Sequence, residues 1–210
     1  MVYWISYYIF KIVMKVLFRG KSFGRENLPA KGPYIGIINH NSILDIPAMA
    51  LVVKTKASTM VKHSLFDVPI LGWWLRAVDM FPIVRGASDQ ASLEHALEVL
   101  QRGHVLYMAP EGTRKHESEE PPRPRTGFVR LAQMADCPVV PIAIVGTREA
   151  LPPGRKLPRL VKIRAKVGKP IKLKKTEVSL QNRSALQSQA QMVMQVVYKL
   201  REELRTNSLN

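Results

Sequence analysis

Short apolar runs alternate with helical patterns along most of this chain, and this alternation limits the fold more than any other feature. Apolar runs predict strands at residues 34–39, 80–84, 105–109 and 139–145, and residues 57–61 are a further candidate strand. Helices are predicted between them, over 46–53, 69–76, from the N-cap Ser88 to Gly103, and over 127–135. Strands interleaved with helices form layered domains. We therefore expect an α/β fold: a single layered domain with a mixed, largely parallel sheet flanked by helices.

Two further elements complete the expected domain. Residues 161–167 alternate apolar and cationic side chains, which predicts a strand with one positively charged, half-exposed face. From about 180 to 205, apolar residues recur at spacings of three and four, which predicts a long amphipathic helix. A chain of 210 residues without a visible linker is long enough for one domain and too short for two comfortable ones. We assign residues 21–210 to this domain.

The first eighteen residues, MVYWISYYIFKIVMKVLF, predict a helix at a membrane surface. The run is too short to span a bilayer, because its charges begin at Lys11 and a span needs about 20 apolar residues. On a helix, Lys11, Lys15 and Arg19 form one stripe that continues back through aromatic residues, as in helices that lie in the membrane interface. We therefore assign residues 1–20 to an amphipathic membrane-interface helix. The alternative is a terminal helix packed on the domain's own core.

The positive charge of the chain indicates a polyanionic partner. Lys+Arg number 32 against 16 Asp+Glu, a net charge of +16, which favours nucleic acid or an anionic membrane surface. Residues 155–175 contain ten Lys or Arg and no acidic residue, but also no aromatic residue that could stack on a base. We therefore expect no nucleic acid partner. The segment is either a solvated face or a surface for anionic lipid, and a donor's acidic carrier protein or nucleotide phosphates could use it too.

The number of cysteines limits the redox environment and the metal sites that this protein can have. Cys137 is the single cysteine, so an intramolecular disulfide is excluded, and no group of Cys and His has the spacing of a zinc site. We expect neither a metal nor another cofactor. A reducing environment, together with the N-terminal helix, predicts a membrane-associated protein at the cytoplasmic face.

The sharpest local pattern is Asn39-His40-Asn41-Ser42-Ile43-Leu44-Asp45, at the end of the first predicted strand. The turn after that strand would bring His40 and Asp45 together at the carboxyl edge of the sheet, where open α/β sheets bind ligands. A carboxylate bound to one imidazole nitrogen lets the other nitrogen take a proton from an alcohol. Taken alone, the pair is better explained by a capping aspartate and a core histidine.

Three further segments change that balance. Pro110-Glu111-Gly112-Thr113-Arg114 follows an apolar strand and offers a glycine, a hydroxyl and a planar guanidinium suited to phosphate. Residues 80–86 form a strand that ends at Arg85, and residues 139–144 form an apolar strand that contains a proline. Individually these are also typical of a turn, a solvated arginine and the core of a sheet.

In this order, the four segments resemble the four sequence blocks of the glycerolipid acyltransferase family, most closely its 1-acyl-sn-glycerol-3-phosphate (lysophosphatidic acid) acyltransferases. The matching residues are His40 and Asp45 in the His-x-x-x-x-Asp block, Arg85 as the phosphate-binding arginine, 111–114 as the Glu-Gly-Thr-Arg block, and 139–144 as the apolar block. One residue departs from the pattern: Pro82 lies inside the second block's strand, where the family usually has a residue able to donate to the ladder.

The resemblance implies transfer of a fatty acyl group from an acyl thioester, on acyl carrier protein or CoA, to the free hydroxyl of 1-acyl-glycerol-3-phosphate, giving phosphatidic acid in phospholipid biosynthesis. His40 would be the general base, oriented by Asp45, with no covalent acyl-enzyme. The implied substrate-binding residues are Arg85 and Arg114 on the phosphate, with Glu111, Gly112 and Thr113 in the same cradle. The donor to the oxyanion is left open between Lys62 and a backbone amide. The alternative acceptors are glycerol-3-phosphate or another lysophospholipid.

Overall fold

The structure of the protein is a computed structural model that describes residues 1–83, 90–112, 122–175 and 183–206. Its helices are α1 (Val2–Val16), α2 (Asp45–Ala48), α3 (Pro69–Ala77), α4 (Gln90–Gln101), α5 (Gly127–Met134), α6 (Thr147–Ala150) and α7 (Arg183–Thr206). Its strands are β1 (Lys21–Phe23), β2 (Tyr34–Ile38), β3 (Ala57–Lys62), β4 (Met80–Ile83), β5 (Val105–Met108), β6 (Val139–Val145) and β7 (Arg164–Val167). Single 3₁₀ turns follow β1, α2 and β3, at Arg25–Asn27, Met49–Leu51 and His63–Leu65.

The strands form one sheet in the order β1-β7-β6-β2-β5-β3-β4. The five strands from β6 to β4 are parallel, β7 runs antiparallel to β6, and β1 runs parallel to β7. Every residue of β2 and β6 is buried, because helices cover both faces of the sheet at its centre. This confirms the predicted α/β fold with a mixed, largely parallel sheet.

Two hydrophobic clusters lie on opposite faces of the sheet. The first includes buried residues of α1 and α2 and of the chain between α2 and β3, with Met14, Phe18 and Leu51 among them. The second is built from α4, α5 and α7, with Leu100, Phe128 and Val193 at its centre. α7 lies across β6 and β7, and thus covers the sheet beside its central strand.

Several predicted elements differ from the observed ones in extent. The predicted helix 46–53 is divided into α2 and a 3₁₀ turn, and the last strand begins at Arg164 rather than at residue 161. Its cationic face is partly covered, since the Lys166 ammonium pairs with the Glu203 carboxylate of α7 (2.7 Å). The three-residue β1 and the four-residue α6 were not predicted. Val84 and the expected N-cap Ser88 lie outside the described residues.

Pro82 fits its strand because β4 is at the edge of the sheet. β3 is the only neighbour that pairs with β4 among the described residues, and Pro82 lies opposite Val61. An edge strand tolerates proline because one of its sides has no ladder to complete. The Pro82 carbonyl accepts a hydrogen bond from the Ser92 hydroxyl (2.8 Å), which connects β4 to α4.

α1 packs on the domain through one face and exposes the other. The Tyr7 hydroxyl donates to the Val53 carbonyl (3.1 Å), and the Trp74 indole donates to the Ser6 hydroxyl (2.9 Å). The opposite face is apolar and at least partly exposed; it carries Trp4, Ile5, Tyr8, Ile9, Ile12 and Val16. Within the described ranges, no helix is both long enough and apolar enough to cross a bilayer. The core contact is therefore present, and the membrane assignment of residues 1–20 stays a prediction.

Gly36, in the central strand β2, is required by the packing of a neighbouring tyrosine. A Cβ atom at residue 36 would overlap the ring of Tyr107 in β5. Tyr107 is buried, and its hydroxyl shares a hydrogen bond with that of Tyr34 (3.1 Å). The smallest side chain at residue 36 would therefore displace a buried aromatic ring.

We expect Gly36→Ala to lower the free energy of unfolding by about 1–3 kcal/mol, as over-packing of a core does. The matched control is Gly127→Ala, because a Cβ atom there would lie 3.6 Å from Leu93, an ordinary contact. Urea denaturation of both variants checks the prediction. Equal stability of the two variants would contradict it.

Candidate active site

His40 and Asp45 are in direct contact at the carboxyl edge of the sheet. His40 Nδ1 lies 3.0 Å from Asp45 Oδ2. Because an ionised carboxylate can only accept, Nδ1 is the donor of this bond, and in the neutral imidazole Nε2 is the nitrogen with the free lone pair. The His40 side chain is partly exposed, whereas that of Asp45 is fully buried. The pair therefore presents one basic nitrogen to a ligand.

The Asp45 carboxylate is held by donors from two other parts of the chain. The backbone amides of Asn41 and Ser42 donate to Oδ2 (2.8 and 2.9 Å). The Thr147 hydroxyl, at the start of α6, donates to Oδ1 (2.6 Å). Burial of a carboxylate is costly unless it is hydrogen-bonded, and here both oxygens have donors. Asp45 thus fixes both the turn after β2 and the orientation of the His40 ring.

Asn39 fixes the end of the strand from which His40 projects. Its side-chain amide donates to the Ile144 carbonyl (2.9 Å) and accepts from the Ile144 amide (2.8 Å). These two bonds continue the pairing of β2 with β6 by one residue, so that the turn begins at a defined position. Asn39 and Thr147 were not predicted as site residues, although the Asn39-His40 pair belongs to the motif that drew attention to this turn.

Glu111 connects His40 to the helix α7. One carboxylate oxygen accepts from the His40 backbone amide (2.7 Å), and the other accepts from the Tyr198 hydroxyl (2.8 Å). Burial raises the pKa of the Glu111 carboxyl, against the lowering effect of these two hydrogen bonds. Burial and the adjacent Glu111 raise the pKa of Tyr198, which therefore remains a donor. Glu111 orients the backbone at His40, and no sequence signal marked Tyr198.

A cavity of about 710 Å³ adjoins the pair and follows the full length of β3. At the carboxyl edge its lining includes His40, Gly112 and Lys62, and at the amino edge it includes Tyr3 and Ala57. Apolar side chains form most of the wall between these ends; they include Phe10, Ile46, Met49, Val61 and Trp74. The cavity is suited to a ligand that is polar at one end and apolar along its length.

Arg125 is a further cation at the polar end of this cavity. The cavity lining includes it, and a Cβ atom at residue 112 would lie 2.8 Å from its Nε. Gly112 has a φ of +69°, a conformation that favours glycine, and its missing side chain leaves room for the Arg125 guanidinium. The structure thus brings Glu111, Gly112 and Lys62 to the site. Arg85, Thr113 and Arg114 lie outside the described residues.

The chemistry available at this site is proton transfer by His40 beside cationic groups. Within the described part of the chain, no three His, Cys, Asp or Glu residues are grouped as metal ligands. Cys137 is buried, and burial raises the pKa of its thiol to about 11, so it is not an activated nucleophile.

Comparison with known proteins assigns the chain to a family. The family described as Acyltransferase matches residues 21–145, more than half of the chain. The chain belongs to this acyltransferase family. The match begins just after the N-terminal helix and includes His40, Asp45 and Glu111. The family inferred from the four sequence blocks is therefore confirmed.

Relatives of this acyltransferase family member include two proteins named 1-acyl-sn-glycerol-3-phosphate acyltransferase. The Saccharomyces cerevisiae protein is 35% identical over 156 residues, which are 71% of this chain and 51% of the yeast protein. The Bacillus subtilis protein is 27% identical over 162 residues, which are 77% of this chain and 78% of the bacterial protein. The chain therefore spans about half the length of the yeast relative.

A solved structure supports the fold of this acyltransferase family member. The crystal structure of the 1-acyl-sn-glycerophosphate acyltransferase from Thermotoga maritima matches with a TM-score of 0.67 and 24% sequence identity. The match covers 93% of this chain and 81% of the other. At this level of identity, the similarity extends to the arrangement of the sheet and helices.

We expect Thr147→Val to lower the free energy of unfolding by about 1–3 kcal/mol, because it leaves a buried carboxylate oxygen without its donor. The control is Thr206→Val, which changes an exposed threonine whose hydroxyl donates to the Glu202 carbonyl. A surface change of this kind costs within about 0.5 kcal/mol. Urea denaturation measures both, and an unchanged stability of Thr147→Val would show that Asp45 does not depend on this bond.

Proposed function

We propose that this protein transfers a fatty acyl group from an acyl thioester to the free hydroxyl of 1-acyl-glycerol-3-phosphate, giving phosphatidic acid. The observation that carries the proposal is the contact of His40 with the buried Asp45 at the polar end of an elongated apolar cavity. Membership of the acyltransferase family and the names of the yeast and Bacillus relatives support the same reaction. The donor is acyl-CoA or acyl carrier protein, both of which present a thioester.

The proposed step uses His40 twice. Nε2 takes the proton of the acceptor hydroxyl while that oxygen attacks the thioester carbonyl carbon. Asp45 stays ionised and stabilises the imidazolium that forms. When the tetrahedral intermediate collapses, the carbon–sulfur bond breaks and the leaving thiolate takes the proton back from Nε2. Lys62, at the cavity's polar end, or a backbone amide would stabilise the oxyanion.

The apolar cavity is the proposed site of an acyl chain. All six residues of β3 line it, a length of roughly 17 Å at the usual rise per residue of a strand. α1 contributes Phe10 to its wall and α3 contributes Trp74, and the two rings meet edge to face with centroids 5.8 Å apart. α1 would thus have two roles, since it closes the cavity with one face and exposes the other.

Cations at the polar end are the proposed site of the acceptor phosphate. Arg125 lies beside Gly112, and it would act together with Arg85 and Arg114. A guanidinium suits a phosphate because its planar fork donates two parallel hydrogen bonds. Thr113 and Glu111 would belong to the same cradle, with Glu111 as the residue that orients it.

The exposed face of α1 is the proposed attachment to the membrane. It is apolar, and Lys15 and Arg19 are exposed near its carboxyl-terminal end. An interfacial helix of this kind buries its apolar face about 5–10 Å deep while its cations contact anionic lipid. The net charge of +16 favours the anionic cytoplasmic leaflet. We therefore propose a membrane-associated enzyme at the cytoplasmic face.

One assay tests the proposed reaction. Purified protein is given labelled acyl-CoA or acyl carrier protein with each of three acceptors: 1-acyl-glycerol-3-phosphate, glycerol-3-phosphate and a lysophospholipid with a larger headgroup. We expect labelled phosphatidic acid as the main product. A faster reaction with one of the other acceptors would transfer the assignment to that substrate, and no labelled lipid from any pair would refute the acyltransferase activity.

We expect His40→Ala to lower kcat by at least about 10²–10⁴, the usual contribution of a general base. Asp45→Asn should lower it by roughly 10⁴, because the amide favours the wrong tautomer of His40. His104→Ala is the control, since His104 is exposed and distant from the carboxyl edge, just before β5. Circular dichroism confirms that each variant is folded. A folded His40→Ala protein with near-normal kcat would refute the mechanism.

Arg125→Lys keeps the charge but loses the planar fork. We expect it to raise KM for 1-acyl-glycerol-3-phosphate by roughly tenfold, the value of a charged hydrogen bond, and to leave KM for monoacylglycerol unchanged. Arg123→Lys is the matched control, because Arg123 is exposed and is not part of the cavity lining. Equal effects of Arg125→Lys on both acceptors would remove Arg125 from the phosphate site.

A further inference from the structure

Residues 151–162, which lie between α6 and β7, expose two leucines. Leu157 is 74% exposed and Leu160 is 71% exposed, more than any other leucine for which the structure gives an exposed fraction. We call this segment the leucine loop. A single exposed apolar side chain is ordinary, but two large ones on one short loop mark a surface that another apolar phase covers.

Four cations surround the two leucines in the sequence Arg155-Lys156-Leu157-Pro158-Arg159-Leu160-Val161-Lys162. Lys156, Arg159 and Lys162 form no ion pair with a carboxylate in the described residues. The Arg155 guanidinium donates to the Leu157 carbonyl (2.8 Å), which holds the tip of the loop. Apolar side chains flanked by unpaired cations match the surface of an anionic bilayer, which is apolar beneath its charged headgroups.

The leucine loop is attached to both α1 and the candidate active site. The residue that follows it, Ile163, donates from its amide to the Phe18 carbonyl just after α1 (3.1 Å). The Leu151 carbonyl accepts from the Ser42 hydroxyl in the turn after His40 (3.3 Å). Because β6 ends and the antiparallel β7 begins at the carboxyl edge, the connection between them lies at that edge. The loop therefore lies at the same edge of the sheet as His40.

We propose that the leucine loop is a second membrane contact, which inserts Leu157 and Leu160 into an anionic bilayer while its cations bind lipid headgroups. This proposal rests on the proposed function in one respect: the acceptor is a lipid that the bilayer presents to the enzyme. A protein attached to the membrane through one helix can still tilt about the axis of that helix. A second contact beyond the end of α1 would remove that freedom and hold the carboxyl edge against the lipid.

The two leucines distinguish a bilayer from the other polyanions that could bind this segment. An acidic carrier protein or a nucleotide phosphate would use the cations, but it would gain little from two protruding leucines. Insertion into lipid removes both side chains from water. Each fully buried leucine contributes roughly tenfold or more to the partition coefficient. The basic segment thus contributes both electrostatic attraction and insertion.

The first test measures insertion at single labelled sites. Leu160→Cys, Ile9→Cys and Met134→Cys are each labelled with an environment-sensitive fluorophore and mixed with vesicles of phosphatidylglycerol and phosphatidylcholine. Met134 is the control, since it is 60% exposed at the end of α5, near the amino edge of the sheet. Labelling of the unmutated protein checks that the buried Cys137 does not react.

We expect the emission at residues 160 and 9 to shift to shorter wavelength and to be quenched by lipids that carry a nitroxide in the acyl region, with neither effect at residue 134. If residue 160 behaves like residue 134 while residue 9 inserts, the leucine loop is not a membrane contact and attachment by α1 stands. If residue 9 also fails to insert, the membrane attachment in the proposed function fails as well.

The second test links insertion to binding and activity. We expect Leu157→Ser with Leu160→Ser to weaken vesicle binding by roughly tenfold for each leucine, with Met134→Ser unchanged. Activity should fall on bilayer acceptor and remain normal on acceptor in detergent micelles, which also shows that the variant is folded. Unchanged vesicle binding by the double variant would refute the proposal. So would a loss of rate confined to acyl carrier protein as donor, because the loop's partner would then be that protein.

Discussion

The carboxylate of Asp45 is fully buried, and two parts of the chain converge on it: the turn after β2, which includes His40, and the start of α6. A buried charge without donors would be strongly destabilising, so these segments must meet for the domain to be stable. The meeting point in turn places the imidazole at the end of the cavity. Stability at the centre of the sheet and orientation of the candidate base therefore depend on the same group.

The parts of this fold that could be predicted from the sequence are those set by local patterns. β2, β5 and β6 are short apolar runs, and each appears within about two residues of its predicted bounds because a strand buried on both faces needs such a run. β3, which is only partly buried, also lies close to its predicted bounds. β1 and α6 have three and four residues, too few for any periodicity to be visible. Pro82 was unexpected in a strand because the sequence does not show whether that strand lies inside the sheet or at its edge. The edge position of β4 removes the conflict.

In the candidate site, too, the residues set by local patterns could be predicted and those brought in from elsewhere could not. His40 and Asp45 are five residues apart, so the turn that joins them could be predicted, and Glu111 was found through its sequence block. Thr147, Tyr198 and Arg125 reach the site from distant parts of the chain, and ordinary side chains of this kind have no signature. The two interpretations of the N-terminal helix could not be separated for a related reason. Apolar residues cover so much of α1 that one face packs on the domain while another is left exposed.

The contact between Glu111 and Tyr198 has a consequence for the order in which the domain is completed during synthesis. Glu111 lies 71 residues after His40 in the chain, and Tyr198 lies a further 87 residues on. Chains emerge from the ribosome amino terminus first, and a contact forms only after both of its partners have emerged. α1, with its exposed apolar stripe, emerges long before α7. If α1 attaches to the membrane as proposed, it would do so while Glu111 still lacks its Tyr198 donor, and the backbone at His40 would gain its final support only when α7 packs on the sheet.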